Sequence, residues 1–192
     1  LRAPGRPPPP RRDGPIVKTR EMEWRISHRG DKVACGIADR HYSRQKIGTP
    51  QFVPPGKCLV LLTQKNDALW TSSWPLPEYT KHKWKGAWIN TLFRNEGSIL
   101  SSTLIRQAVA ATRWKWPDPP EQGMVTFIDT KKVRKKRDFG RCYRKVGFKH
   151  VGYTIVRNLW VLQLAPEAMP DACPPTETQI ELFHPLAAMG QS

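Results

Sequence analysis

The chain is short of acid. Against 32 lysines and arginines stand 16 aspartates and glutamates, a formal net charge of +16 over 192 residues. A surface so unbalanced favours a polyanionic partner, most simply DNA or RNA; the alternative is a generally basic protein with no such role. Cysteine is scarce as well. Cys35, Cys58, Cys142 and Cys173 are widely scattered and form no C-x-x-C, so neither a zinc knuckle nor a redox pair is signalled. No apolar run approaches the length of a membrane span. Leu1-Arg2 opens into prolines rather than an apolar signal region. A reduced, cytosolic protein without a membrane partner is expected. There is no G-x-G-x-x-G and no internal repeat, which argues against a dinucleotide-binding fold and a repeat array.

Hydrophobic residues make up 39% of the chain, enough for one domain with tails. Residues 1–22 are rich in proline and arginine and carry no apolar periodicity, so they read as a disordered leader. Met22–Ile26 alternates like a strand. Asp31–Arg40 has helical spacing, weakened by Gly36. Gly48–Gly56 is a breaker-rich loop. Lys57–Thr63 and Ala68–Trp74 read as a hairpin turning at Gln64–Asp67. Trp88–Arg94 is a further strand. Ser101 or Ser102 is placed to cap a helix running to about Trp116 and ended by Pro117. Gly123–Asp129 is a short buried strand ending in an acid. Gly140–Phe148 holds a short helix that carries Tyr143 and stops at Gly147. Val151–Val156 and Leu159–Leu164 are the last strands. From Ala165 to Ser192 no periodicity remains, and the stretch reads as a tail. The expected fold class is α/β: a single mixed sheet flanked by helices over residues 23–164.

Several residue groups carry candidate chemistry. Tyr143 is protonated at neutral pH and suits a general acid, or a core position on the sheet. His41-Tyr42 places two titratable groups beside a breaker-rich loop. Asp129 would orient an amine, ligate a metal together with His41, or cap the next turn. Arg94 and Glu96 suit either a substrate role or an ion pair at the strand–helix junction. Lys131, Lys132, Arg134, Lys135, Lys136 and Arg137 form a basic run suited to DNA phosphates or to plain solvation. Trp70, Trp74, Tyr79, Trp84 and Trp88 interleave with Lys81, Lys83 and Lys85, a pattern that suits base stacking beside phosphate contacts. Trp70 and Trp88 belong in the core on their strands. Trp74 and Trp84 are the candidates for stacking.

The element order, closing on Cys142-Tyr-Arg-Lys-Val-Gly-Phe-Lys-His-Val-Gly152, resembles the GNAT N-acyltransferase superfamily. There a tyrosine at this point commonly protonates the leaving thiolate. More narrowly, His41-Tyr42, Phe93-Arg94-Asn95-Glu96, Ser101-Ser102, Phe127-Ile128-Asp129 and Cys142-Tyr143, in this order, look like the phage Mom-type DNA-modification proteins. The resemblance covers about residues 24–164. It implies a GNAT-like sheet and transfer of a carbamoylmethyl-like group to the exocyclic amine of adenine in duplex DNA. That modification would mask phage or mobile-element DNA from restriction in a bacterial cytosol. It implies Tyr143 and Asp129 for the chemistry, and His41 and Tyr42 for proton transfer or a metal. A small-molecule donor, acyl-CoA or a relative, would sit at Arg94, Gly97, Ser98, Ser101 and Ser102. Acyl-CoA-using members carry a Q/R-x-x-G-x-G/A loop whose amides cradle pyrophosphate at a helix N-terminus. Here Arg94–Ser102 keeps the helix start and one glycine but adds Glu96, so a different donor or a reshaped pocket is expected. Two other readings stand beside this one: an acyl-CoA N-acyltransferase of a protein or small amine, and a GNAT-like DNA-binding protein without chemistry.

The charge generates a first prediction. The logarithm of duplex affinity falls with the logarithm of salt at a slope of about −0.9 per phosphate neutralised. Reversing the charge of Lys131, Lys132, Lys135 and Lys136 together flattens that slope in a binding titration. An unchanged slope would remove this run from the interface.

Overall fold

The structure, a computed structural model, describes residues 21–133 and 138–176. Arg134, Lys135, Lys136 and Arg137, and the stretches 1–20 and 177–192, lie outside the described residues. One seven-stranded mixed sheet organises the rest, in the order β1-β2-β3-β4-β5-β7-β6. The strands are β1 (Trp24–Ser27), β2 (Lys57–Thr63), β3 (Ala68–Trp74), β4 (Trp88–Asn95), β5 (Met124–Ile128), β6 (Lys149–Tyr153) and β7 (Trp160–Leu164). The helices are α1 (Lys32–Asp39), α2 (Ser101–Lys115) and α3 (Arg141–Arg144). All neighbouring strands run antiparallel except β4 and β5, which are parallel. A parallel neighbour needs a long crossover, and α2 supplies it.

The period-two alternation of the strands sorts the core onto two faces. Leu59, Leu61, Ala68, Trp70, Trp88, Met124 and Leu162 face α2, with Leu104, Ile105, Ala108 and Val109 packed against them. Val60, Leu62 and Leu69 face the other way, under Ala34, Ile37 and Ala38 of α1 and under Phe52 and Val53. Farther along that face Trp84 and Ala87 cover Val125 and Val161. Asp31 caps α1 by accepting from the Val33 and Ala34 amides. The hairpin turn folds as expected, with Asn66 in the left-handed region at φ 57°.

Three expectations need correcting. Residues 165–176 are not a free tail. Met169 is buried in the main core, Cys173 N donates to Ala110 O, and Thr176 N donates to Trp24 O. This strap crosses α2 and bridges β1 in parallel at Arg25 and Thr176. Its prolines and small residues hid it, because a strap needs no periodicity. Second, neither Ser101 nor Ser102 caps α2. The N-cap is Leu100, and it makes no side-chain cap bond. Asn95 Nδ2 donates to both the Ser101 hydroxyl and Ile99 O, which engages that hydroxyl elsewhere. Third, the β6 segment ends at Tyr153 rather than Val156. Asn158 N donates to Thr154 O, and Leu159 N to the Thr154 hydroxyl, closing a tight turn around Ile155 and Val156.

Burial of Met169 at 6% exposure predicts that Met169→Ala lowers unfolding free energy by about 2–5 kcal/mol. Urea denaturation reads this directly. An unshifted midpoint would mean that the strap rides on the core without stabilising it.

Candidate active site

Where β4 and β5 meet, pairing lasts three residues: Trp88 with Met124, Ile89 with Val125, and Asn90 with Thr126. Beyond Asn90 the strands part, and a cleft of about 830 Å³ opens between their C-terminal halves. That volume lies in the range of small-molecule sites. The β3–β4 register slips at this level, since Thr71 pairs with Leu92 while Ser72 pairs with Asn90. Thr91 is the extra residue of a bulge.

Asn90 is 3% exposed and holds this point together. Its Nδ2 donates to Thr71 O and Leu92 O, both at 3.0 Å. Its Oδ1 accepts from the Thr126 hydroxyl at 3.2 Å and from the Tyr143 hydroxyl at 2.7 Å. Every hydrogen-bonding position of the carboxamide is used. No motif flagged this residue in the sequence; the one available signal was a polar Asn-Thr pair inside the apolar part of a strand.

Tyr143 reaches the cleft from α3. The helix start is fixed by Gly140 at φ 64°, where a Cβ would meet Leu162 Cδ1 at 2.5 Å. Its end is fixed by Gly147 at φ 115°. There Gly147 N donates to Arg144 O and Phe148 N to Tyr143 O, the paired bonds of a glycine helix stop. The phenol ring lies among Trp70, Phe93 and Phe148, with centroids at 6.5, 6.1 and 5.3 Å. Burial, with the nearby Cys142 and Tyr42, pushes its pKa well above 10, against a smaller opposite pull from the Thr126 hydroxyl. The group keeps its proton through the neutral range, which suits a donor and not a base.

His41 and Tyr42 line the same cleft. They are delivered by a cluster of charges at the end of α1. Glu96 accepts from Arg40 Nε and Nη2 at 2.8 and 2.6 Å and from Arg94 Nε at 2.6 Å. Arg94 Nη1 in turn donates to Arg40 O at 2.7 Å. The bonds from Arg40 lead the causes that hold the Glu96 carboxyl down to about 2. Two guanidinium groups surround one carboxylate, so the strand–helix junction carries net positive charge despite the acid. The following loop is pinned by Arg44, which donates to Asp39 Oδ1 at 2.6 Å, to Gln51 O at 2.7 Å and to Thr49 O.

Burial, reinforced by the positive charge of Arg94, lowers the His41 pKa from 6.5 to about 4. Its Nδ1 accepts from Ser43 N and lies 2.7 Å from the Ser43 hydroxyl. Tyr42 stacks obliquely on it at 4.4 Å. Burial raises the Tyr42 pKa, against a smaller pull from the nearby backbone of Asp129. Tyr42 thus spans the gap from the β4 side to the end of β5.

The other site residues divide. Arg94, Ser101 and Ser102 line the cleft; Gly97 and Ser98 do not. Gly97 is turned against Asp67, whose Oδ2 a Cβ there would meet at 2.2 Å. Asp129 does not line the cleft. Its carboxylate accepts from Lys131 N, and its carbonyl from Lys132 N and Val133 N, so it caps the turn after β5. Among the described residues no group of three or more His, Cys, Asp or Glu gathers that could hold a metal. Lys131 and Lys132 are exposed at the end of that turn.

The stacking assignment of Trp84 is corrected, because the ring is 4% exposed and fills the core over Val125 and Val161. Trp74 is half-buried. Its ring lies edge to face with Trp88 and beside Trp116, with Lys57 Nζ 5.1 Å from its centroid. Trp70 and Trp88 are fully buried, as expected. No described helix is long and apolar enough to cross a membrane. Comparison with the models of known protein families, with curated proteins and with solved structures finds no match to this chain.

The His41 shift has a signed consequence. Between pH 6.5 and about 4 the unfolded chain takes up a proton at this histidine and the native chain does not. Stability from this group is therefore complete above pH 6.5 and falls as pH drops toward 4. Melting curves of the wild type should decline more steeply over that window than those of His41→Gln. Parallel declines would show that the native imidazole is not held neutral.

Proposed function

We propose that this chain is a GNAT-like transferase that modifies a base in duplex DNA, adding a small carbamoylmethyl-like group to the exocyclic amine of adenine. The observation that carries the reading is the Tyr143 hydroxyl on the floor of an open cleft. The cleft lies between diverging parallel strands, beside a helix start without a side-chain cap, in a chain of net charge +16. A DNA-binding protein that had lost its chemistry would have no use for this open volume. In cells the product would shield phage or mobile-element DNA from restriction.

Adenine N6 is a poor nucleophile, because its lone pair is delocalised into the ring and its protons are paired inside the duplex. The base must leave the stack to be reached. A small-molecule donor supplies the activated carbon. The N6–carbon bond forms as the bond from that carbon to its leaving group breaks and takes the electron pair. The N6 proton leaves to solvent on the His41–Tyr42 side of the cleft. Tyr143 rotates its hydroxyl from Asn90 to the leaving group and donates its proton, which solvent later restores. Tyr42 and the Arg40–Glu96–Arg94 cluster position His41. Arg94 and the positive end of the α2 dipole favour an anionic donor.

One observation also supports the acyl-CoA reading. Ser101 and Ser102 line the cleft at an uncapped helix start, and the acid of Glu96 is matched by two arginines. Nucleoside mass spectrometry of DNA from expressing cells separates the two, because it reports the modified base and the mass added together.

Tyr143→Phe keeps the ring and removes the proton. Modified adenine per unit DNA should fall by about 10²- to 10⁴-fold, with the circular dichroism spectrum and DNA affinity retained. Wild-type yield from a folded variant would return Tyr143 to a packing role, with at most about 0.5–1.5 kcal/mol lost for its hydrogen bond.

A further inference from the structure

The β6–β7 turn carries two large aliphatic side chains in open solvent, Ile155 at 97% and Val156 at 94% exposure. Adjacent branched side chains this exposed are not explained by the fold, since nothing in the core gains from them. The turn beneath them is tightly built. Thr154 N donates to Leu159 O, Asn158 N to Thr154 O, and Leu159 N to the Thr154 hydroxyl, with Asn158 at φ 51°. The two side chains are therefore displayed on a fixed support.

Register places this tip relative to the cleft. Tyr153 pairs with Trp160, and Trp160 pairs with Ile128 at the C-terminal end of β5. Ile128 lines the cleft, which opens toward that same end of β4 and β5. The tip thus projects beyond the sheet at the end where the cleft opens.

Its surroundings are cationic. Arg157 is in the turn, and Lys131 and Lys132 follow the end of β5; all three are exposed. The Lys81–Lys85 loop lies on one face, where His82 packs on Phe127 at 5.0 Å. A Cβ on Gly152 would stand 3.7 Å from Lys83 Nζ, which sets that lysine against β6. Two nearby acids are engaged, Asp129 in its turn and Asp138 with Arg144. An apolar tip with one cation in its own turn and others on the neighbouring strands and loops matches a nucleic-acid duplex, which offers phosphates around a stack of apolar base faces. Apolar wedges inserted between base steps unstack them and bend the duplex.

We propose that Ile155 and Val156 form a wedge that enters the base stack of duplex DNA beside the target nucleotide. The cations around it would hold the flanking phosphates. The proposal rests on the DNA reading above and adds the device that opens the stack. Base extraction requires unstacking before the cleft can receive the base.

The test is Ile155→Ser combined with Val156→Ser in the full chain. With both side chains in solvent, the melting temperature should not move. The probe is a closed circular plasmid relaxed by a topoisomerase in the presence of saturating protein, then freed of protein. Wedge insertion unwinds the helix and leaves a reduced linking number, whatever the sequence. Wild-type protein should shift the topoisomer distribution. The double variant should bind within about threefold of wild type at low salt, through its phosphate contacts, and leave the distribution unshifted. A variant that shifts the plasmid as wild type does, or a wild type that binds without shifting it, overturns the wedge and leaves the DNA reading standing. A wild type that does not bind duplex DNA overturns both. Loss in the variant of binding to vesicles containing phosphatidylserine, with the plasmid shift unchanged, would reassign the tip to a membrane surface.

Discussion

The carboxamide of Asn90 is the point on which the site depends. Two strands that run parallel normally stay paired, because each unpaired amide or carbonyl in the interior must find another partner. At Asn90 the ladder stops, and the side chain takes over where the backbone lets go. It satisfies carbonyls on β3 and β4 with its nitrogen and hydroxyls from β5 and α3 with its oxygen. One residue thus ends the pairing, stabilises the bulge and sets the height of Tyr143. A fully satisfied buried network of this kind specifies one arrangement, because losing any member strands the others.

The second wall of the site is held by charge rather than by a ladder. Arg94 from β4 grips the last carbonyl region of α1 while Glu96 grips Arg40. The links are partly exposed, with side-chain exposures of 53%, 33% and 28% for Arg40, Arg94 and Glu96. Such pairs contribute little to global stability individually. Their importance is geometric: they anchor the chain at residue 40, so that the next two side chains enter the cleft. The two walls therefore differ in kind, one rigid and buried, the other polar and sensitive to salt.

Elements with strong periodicity were legible in the sequence. β2 and β3 span the residues that their patterns indicate, the body of α2 follows its period although its cap does not, and Gly147 stops α3 through the bonds that its position implied. Residues whose meaning depends on a distant partner were not legible. Asn90 reads as an interruption until Thr71, Thr126 and Tyr143 surround it. Trp84, set among lysines, looked like a solvent-facing aromatic, but its neighbours over β5 and β7 lie about 40 and 77 residues away in the chain. Glu96 looked hostile to an anion because its second arginine, Arg40, comes from the end of α1, 56 residues away, while the pairing with Arg94 was readable in the sequence. The strap at 165–176 was missed for a similar reason. Its bonds are made to Ala110 and Trp24, and its own sequence carries no period to read.

That strap bears on how the protein is made. Thr176 donates to Trp24 and, through its hydroxyl, to Met22. The outer strand β1 is therefore completed by residues synthesised about 150 positions later. During translation β1 can pair with β2, but its free edge and the surface of α2 stay uncovered until the ribosome has passed residue 176 and released it. Long-range closure of this kind slows folding and leaves an unpaired strand edge exposed on the nascent chain. Chaperone demand should accordingly concentrate late in synthesis, before residues 165–176 have crossed α2.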